Sequence, residues 1–575
     1  MAESSRRSSG ADAARVSRVF PWVMPAAADL IFVGLLGGLV FTPLAVKLLG
    51  DAGIGWHIRT GQLILATHAV PRVDVFSATA HGKPWFAWEW GYDVVVGWLE
   101  SVAGLNGVVW FTAVVIAAVF GWLFRLLVAR GTNFFVAVGL TLLAMSASTI
   151  HFLARPHVVS WLFTLAWFWM LDSAERGCGL RRLWILPAMM LVWVNVHGGF
   201  LVGFVLLGIF WIGAAWEWWT ARAGRIEEVL DQIAAGRRVR ALSLVGVVSV
   251  AASLVNPYGW KLYGHIYWYL TNRFLMDHIE EFQSPNFHGV AQKCFLGMVV
   301  ILVAVLAAGE IPTSRAEGAR EMGHPLKIPT SRAEGAREMG HPLKIPTSRA
   351  KGAREMGHPV RGLRLSAGLT VLFAVYAGLY AARNIPVAAV LLAMVVGPML
   401  PGFAPGFSER MGAIESGLRG HTWAMAAVAL TFLIAWNGGR VGAKQVMAAH
   451  FDPARMPVGA VNFLERRGTD GPIFSPDYWG GYLIYRLNRT PGMPARVVVD
   501  DRHDLYGEQF LKQYLKIWHV EEQWRYGWMA GRQLGFLVLP RNAALTNALC
   551  GDPVWKEIYR DDTAVVFENG SVSNQ

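Results

Sequence analysis

For its first 440 residues the chain alternates long apolar runs with short polar connections, and it then changes to the mixed pattern of a soluble domain. Eleven runs stand out, near 25–48, 105–125, 133–152, 156–172, 183–197, 199–217, 240–256, 292–309, 365–382, 386–403 and 421–438. A bilayer core of ~30 Å takes about 20 apolar residues of helix, so each run predicts a span. The first run is longer than a signal-peptide core and no small-residue cleavage pattern follows it, so it is expected to remain a span. From Pro457 the apolar stretches are short. GPIFS at 471–475, ARVVV at 495–499, GFLVL at 535–539 and AVVF at 564–567 predict strands, with helices near 480–488, 506–519 and 541–549. That alternation predicts a small, mostly parallel α/β sheet. The expected organisation is an N-terminal tail (1–24), a transmembrane domain of about eleven helices (25–440) and a C-terminal α/β domain (445–575). A first external loop (51–103) and a loop at 310–364 belong to the transmembrane part. The fold class is therefore mainly α and polytopic.

Composition agrees with the pattern. Hydrophobic residues make up 54% and charged residues 16%, against ~25% charged in soluble proteins. With 26 Trp, 30 Phe and 3 Cys, the chain is neither disordered nor a disulfide scaffold. Cys178, Cys294 and Cys550 fall in an inner loop, a span and the terminal domain, so none has a disulfide partner. No zinc spacing, Gly-x-Ser-x-Gly or phosphate-binding glycine loop occurs, and no nucleotide or haem is expected.

The net charge of +12 suits nucleic acid or anionic lipid until its distribution is read. Arg6, Arg7, Arg15 and Arg18 put the N-terminus inside, because cytoplasmic loops hold the positive excess. Eleven alternating spans then place Arg125 and Arg130, the Arg176–Arg182 loop, the 222–240 loop, the 310–364 loop, Arg410 and Arg419 inside. The terminal domain falls outside the cell membrane. The charge thus reports topology and membrane lipids, and no nucleic-acid partner is expected. The 310–364 loop carries three near-identical 17-residue copies, IPTSRAEGAREMGHPLK at 311–327 and its repeats from 328 and 345. Such a unit is too short for a solenoid. A basic tether for anionic lipid is one reading; a tolerated tandem insertion is the simpler one.

Polar residues at membrane-helix ends are costly and point to sites. They gather at the outer ends: His151, Arg155 and His157 in HFLARPH; Asn195 and His197 in VNVHGG; Asn256, Tyr258 and Lys261 in NPYGWK; Arg383 and Asn384 in ARN. Each motif alone reads equally as a helix-ending cap. Four on one side predict a shared external cavity. The first outer loop adds the acids Asp51, Asp74, Glu89 and Asp93. It also holds an amphipathic helix with Trp56, Ile58, Leu63 and Ile64, and an aromatic run from Trp85 to Trp90; both are expected along the membrane interface. Asp51, directly after the first span, suits a general base acting on a hydroxyl at the membrane surface. The alternative is an acid capping an interfacial helix.

The sequence D-x-G-x-G-W-H-I-R-T-G, followed by V-P-R-x-D-x-F-S, G-K-P-W and W-E-W, resembles the first-loop signature of bacterial membrane proteins related to the GT-C glycosyltransferases. That class includes protein O-mannosyltransferases, aminoarabinose transferases and oligosaccharyltransferases. The resemblance implies an enzyme that takes a sugar from a polyprenyl-phosphate donor outside the membrane, inverts the anomeric centre, and passes the sugar to an external glycan, lipid or protein acceptor. It implies Asp51 as base, with Asp74 or Glu89 as a second carboxylate or as the group orienting the first. His57 and Arg59 would contact acceptor or phosphate, and Arg155, Lys261 and Arg383 the carrier phosphate. His157, His197 and Asn256 would complete the substrate-binding lining. Gly53 stands where an additional acid often occurs in this group.

Two terminal motifs complete the picture. SPDYWGGYLIYRL at 475–487 lies where oligosaccharyltransferases carry Trp-Trp-Asp-Tyr-Gly, though its spelling favours packing of Tyr478 and Trp479 under a glycine turn. VVVDDRHDLYG at 497–507 puts Asp501 and Arg502 past a strand end, where open α/β sheets bind ligands. That cluster reads as an acceptor or divalent-cation site, or as a salt-bridged turn capping the next helix. A lipid or small-molecule transporter and a non-catalytic envelope assembly protein are the rival functions; the first would need polar groups near the bilayer midplane.

Overall fold

The computed structural model describes residues 21–221, 226–309, 363–419, 421–469, 471–489, 496–521 and 534–570. The 17-residue repeats and most of the N-terminal tail lie outside the described residues.

All eleven expected runs contain helix. In chain order the helices are α1 (Ala27–Phe41), α2 (Ile54–Thr67), α3 (Trp90–Ala129), α4 (Phe134–Ser148), α5 (His157–Glu175), α6 (Ile185–Trp193), α7 (Leu201–Thr220), α8 (Ile226–Ser253), α9 (Lys261–Thr271), α10 (Val290–Gly309), α11 (Leu365–Tyr380), α12 (Ile385–Val396), α13 (Pro405–Gly417) and α14 (Thr422–Trp436). Among the described residues six helical stretches are long and apolar enough to cross a membrane, and α13 with α14 adds a seventh if that bent pair is one span. Length and composition therefore do not reach the expected eleven. Helix α6, at nine residues, rises only ~14 Å. The chain is a multi-pass membrane protein with a mainly α fold. Helix α3 runs 40 residues because an outer segment and a spanning segment join at Gly104, whose φ of 60° breaks the helical path. Glycine adopts that left-handed region without steric cost.

The helix of the first loop and Trp85 of its aromatic run are covered by protein. Helix α2 carries apolar side chains at helical spacing, and Ile54, Trp56, Ile58 and Ile64 are all buried. They pack against α3 and against α16 (Asp477–Leu487) of the terminal domain. Trp85 is likewise buried. Burying each such side chain stabilises by about 1.5–3 kcal/mol; a protein surface was available, so the interfacial expectation is corrected. The most exposed aromatics among the described residues, Trp260 and Tyr267 at 72% each, stand at the start of α9 and within it.

The terminal domain begins with α15 (Val458–Arg467) and includes α17 (Glu508–Trp518) and α18 (Ala544–Leu549). Its sheet has the strands β1 (Ile473–Phe474), β2 (Phe536–Pro540), β3 (Trp555–Arg560) and β4 (Ala564–Asn569), in the order β1-β2-β4-β3. Only β1 and β2 pair in parallel; β4 is antiparallel to both neighbours. The sheet is thus mixed, not mostly parallel. The strand missed by the sequence reading is β3: its Lys, Glu and Arg suit an exposed edge and break the apolar run, and a tight turn at Asp561–Thr563 folds it onto β4. The stretch expected at 495–499 is reduced to Val497, which bridges Ile473 on one side and Ser77 of the first loop on the other. The first loop therefore extends the sheet of the terminal domain.

Close approach of α2 and α16 depends on glycine. A Cβ on Gly55 would collide with the Gly481 backbone, and one on Gly481 with the Ala52 carbonyl, where only backbone faces it. The glycine pair of the YWGGY motif is thus a contact between domain and loop. Gly481→Ala is expected to destabilise the protein by about 1–3 kcal/mol, seen as a lowered melting temperature in detergent, whereas Gly406→Ala, with open space around it and no left-handed backbone, should lose less.

Candidate functional site

Where the helix ends at one side of the bundle, the first loop and the terminal domain meet, they enclose a cavity of about 1220 Å³. Asp51, His57, Glu89, Arg155, His157, His197, Arg383, Asp501 and Arg502 all line it, as does His151. Three of the four outer junctions thus converge as the sequence predicts.

Arg155 is the centre of the charged wall. Its Nε donates to Asp51 at 2.8 Å and its Nη2 to Asp501 at 2.7 Å, so one guanidinium joins the end of the first span to the terminal domain. Burial opposes its charge, but Asp51 and Asp501 overcome this and hold its pKa well above the ordinary value. The Asp501 carboxyl also accepts from Trp56 Nε1 at 3.0 Å; burial raises its pKa against the pull of Arg155. Gly53 is a steric necessity here, since a Cβ would run into the Arg155 guanidinium and the Asp501 carboxylate. An additional acid at that position would displace this pair.

Glu89 immediately precedes α3, makes no side-chain capping hydrogen bond there, and faces two histidines, with Oε2 3.8 Å from His57 Nε2 and Oε1 3.7 Å from His197 Nε2. Burial pushes its pKa up to about 8, although Arg155 and Arg383 pull the other way. Burial also keeps His57 and His197 well below the usual imidazole value. His57 Nδ1 lies 2.6 Å from Asp93, one turn along α3 from Glu89. His197 Nδ1 accepts from the Gly199 N–H at 3.0 Å and lies 2.8 Å from Ser160 Oγ.

Arg383 stacks 4.6 Å over Phe282. Among the described residues neither it nor Arg455, which also lines the cavity, has a carboxylate within ion-pair distance. Glu281 is the acid that senses Arg383: burial raises its pKa, and Arg383 with Arg155 brings it below the ordinary range. Phe86 and Trp88 form an aromatic wall with Tyr269, backed by His265, which stacks 4.2 Å from Phe86 and bonds Asp504 at 2.9 Å.

Several expected site residues are elsewhere. Asp74 is fully buried, bonded to Ser77 and to Arg502 at 2.8 Å; burial would raise its pKa, but Arg502 and Ser77 bring it down. Arg502 touches the cavity, yet all three of its nitrogens are engaged by Asp500 and Asp74, and it stacks 4.6 Å over Trp85. Both residues weld the first loop to the domain. Arg59 donates to the Tyr485 carbonyl and packs over its ring, turned from the cavity because it lies on the face of α2 towards α16. Asn256 caps its own turn through Ser253 and Gly259, and Lys261 is exposed outside the lining. The 500–504 cluster is a salt-bridged turn, its acids taken by Arg502, Arg155 and His265. Among the described residues no group of three or more His, Cys, Asp or Glu side chains is placed to hold a metal.

The sequence pattern singles out neither Arg455 nor Glu281, gives Asp93 no role beyond that of a loop acid, and sets the aromatic run at the membrane interface rather than in the cavity wall. Asp93 had a signal, being four residues after Glu89 and so on the same helical face. Arg455 had none, since only folding of the terminal domain brings it to the cavity.

The site defines a multi-pass membrane protein with a large cavity at one end of its helices, lined by acids, guanidiniums and histidines. No family model and no curated protein matches the chain. Among solved structures it is similar to ArnT from Cupriavidus metallidurans bound to undecaprenyl phosphate, at 13% identity over 94% of this chain and 97% of that one, with a TM-score of 0.44. It is similar to the apo form of that protein at 13% identity over 94% and 98%, with a TM-score of 0.42.

Arg502→Met is expected to cost about 3–5 kcal/mol, because it leaves Asp74 and Asp500 buried without their cation. Thermal unfolding in detergent should show it, with Lys261→Met as the silent comparison.

Proposed function

We propose that the protein is an integral membrane glycosyltransferase of the GT-C kind, which moves a sugar from a polyprenyl-phosphate-linked donor to an external glycan, lipid or protein acceptor. The observation that carries this reading is the cavity itself. At the ends of apolar helices it combines carboxylates (Asp51, Glu89, Asp501) with two guanidiniums, Arg383 and Arg455, that have no bonded acid among the described residues. Such a site suits a ligand with an anionic phosphate, a hydroxyl-rich body and a hydrocarbon tail. In this reading the cavity faces outward, the N-terminus is cytoplasmic and the enzyme sits in the inner membrane of a bacterium.

Asp51 is the general base. The acceptor hydroxyl gives its proton to Asp51 as its oxygen bonds the anomeric carbon, and the bond from that carbon to the phosphate oxygen breaks. Charge grows on the leaving phosphate, where Arg383 and Arg455 stabilise it; preorganised cations in a water-poor site are the strongest such device. An incoming phosphate also gives Arg155 a third anion, which loosens its hold on Asp51 and makes that carboxylate a better base. His157 and His197 line the same space.

Asp51→Asn keeps the hydrogen-bonding shape but cannot take a proton. It is expected to lower glycolipid consumption by about 10²–10⁴-fold while the inserted protein still binds polyprenyl phosphate. Undiminished consumption by correctly inserted Asp51→Asn would remove Asp51 from the chemistry.

A further inference from the structure

The two histidines that flank Glu89 carry their protons on opposite nitrogens. His197 Nδ1 accepts the Gly199 N–H, and Ser160 Oγ, itself receiving Trp193 Nε1 at 2.7 Å, points its hydrogen at the same atom. Nδ1 is therefore unprotonated, and the neutral ring presents an Nε2–H to Glu89. His57 is the reverse. Its Nε2 lies 3.5 Å from Arg155 Nη1, a permanent donor, while Nδ1 faces the Asp93 carboxyl. Its neutral ring therefore rests with the proton on Nδ1 and a lone pair towards Glu89. Glu89 thus faces a donor 3.7 Å from one oxygen and an acceptor 3.8 Å from the other, beyond hydrogen-bond length but in the arrangement that suits a neutral carboxylic acid. Behind His57, Asp93 is fully buried and its Oδ2 has no hydrogen-bond partner among the described residues. A buried carboxylate with a bare oxygen is costly, so Asp93 is poised to take a proton.

We propose that Asp93, His57 and Glu89 form a buried proton relay, which turns Glu89 from a neutral acid into a carboxylate facing the cavity without releasing a proton to solvent. The step conserves charge and atoms. The Glu89 Oε2–H bond breaks as an N–H bond forms at His57 Nε2; the His57 Nδ1–H bond breaks as an O–H bond forms on Asp93 Oδ1. The product is Asp93 neutral, His57 neutral as the other tautomer, and Glu89 ionised between two N–H donors. The 3.8 Å gap between Glu89 and His57 closes by a small side-chain movement or through one water. His197 is a positioning residue that holds Glu89 in line. The charged and titratable groups facing Glu89 are Arg155 and Arg383, which favour its ionised form, Asp501 and Asp504, which oppose it, and the two histidines.

The relay's use in sugar transfer rests on the proposed function, but its existence is tested without substrate. Because the step moves a proton within the site, its equilibrium does not shift with pH while Glu89 and Asp93 share one proton. Nitrogen-15 labelling of histidine in the full chain in lipid nanodiscs should show wild-type His57 exchanging between its Nδ1–H and Nε2–H tautomers, and a single tautomer in Glu89→Gln and in Asp93→Asn. Infrared spectra of the wild type should show two protonated-carboxyl bands, one lost in Glu89→Gln and the other in Asp93→Asn. With a polyprenyl-phosphate sugar donor, Asp93→Asn should lower kcat by about 100-fold with little change in KM. A wild-type His57 held in one tautomer, or tautomer exchange that survives Asp93→Asn, would overturn the relay. If both spectroscopic signatures appear and no glycolipid is consumed, the relay stands and the functional reading falls.

Discussion

The arrangement depends on one guanidinium. Arg155, at the break between the spans α4 and α5, is held between Asp51 at the end of the first span and Asp501 of the terminal domain. A buried charge with two acids is tolerated only when its hydrogen bonds are made, and here the bonds also set the distance between three parts of the chain. Gly53, Gly55 and Gly481 let the backbones come close enough for the pair to form. The second weld, Asp74–Arg502–Asp500, lies deeper and carries no solvent face. Together they make the terminal domain a wall of the cavity and leave Asp51 and Asp501 as charged groups with part of their surface towards it.

Much of this was legible because membrane helices punish stray polarity. HFLARPH, VNVHGG and ARN stood out against apolar runs, and all three reach the cavity. NPYGWK had the same signature but folds on itself: Asn256 satisfies its own turn, which is the local role that Asn-Pro most often plays. The terminal sheet was legible in its buried strands and illegible at β3, whose charged residues belong to an edge. The first loop was misread for a different reason. Amphipathic spacing says that one face of α2 is buried, not what buries it, and here protein rather than lipid covers it. For the same reason Asp74 and Arg59 looked like site residues: acid and base in a conserved-looking loop motif serve docking as readily as chemistry, and only their partners, Arg502 and the Tyr485 carbonyl, decide.

The polar groups of the site stand at one end of the helices, beside an aromatic wall and below a soluble domain, while the spans themselves pack through large apolar side chains such as Trp161, Trp167 and Phe120. That division suits chemistry performed at the membrane surface on a ligand whose tail stays in lipid. Within the cavity the charges are sorted: Arg155 is shared by two acids, Arg383 and Arg455 are held by none among the described residues, and burial disfavours the charged form of Glu89 between two histidines.

The central claim is that this cavity receives the phosphate of a polyprenyl carrier beside Asp51. A cryo-electron microscopy structure of the full chain in lipid with polyprenyl phosphate tests it most directly. The account predicts phosphate density within hydrogen-bonding reach of Arg383 or Arg455 and a lengthened Arg155–Asp51 contact. Density for the phosphate at the opposite helix ends, near Arg130 and Arg176, with the Asp51–Arg155–Asp501 pairing unchanged, would contradict it.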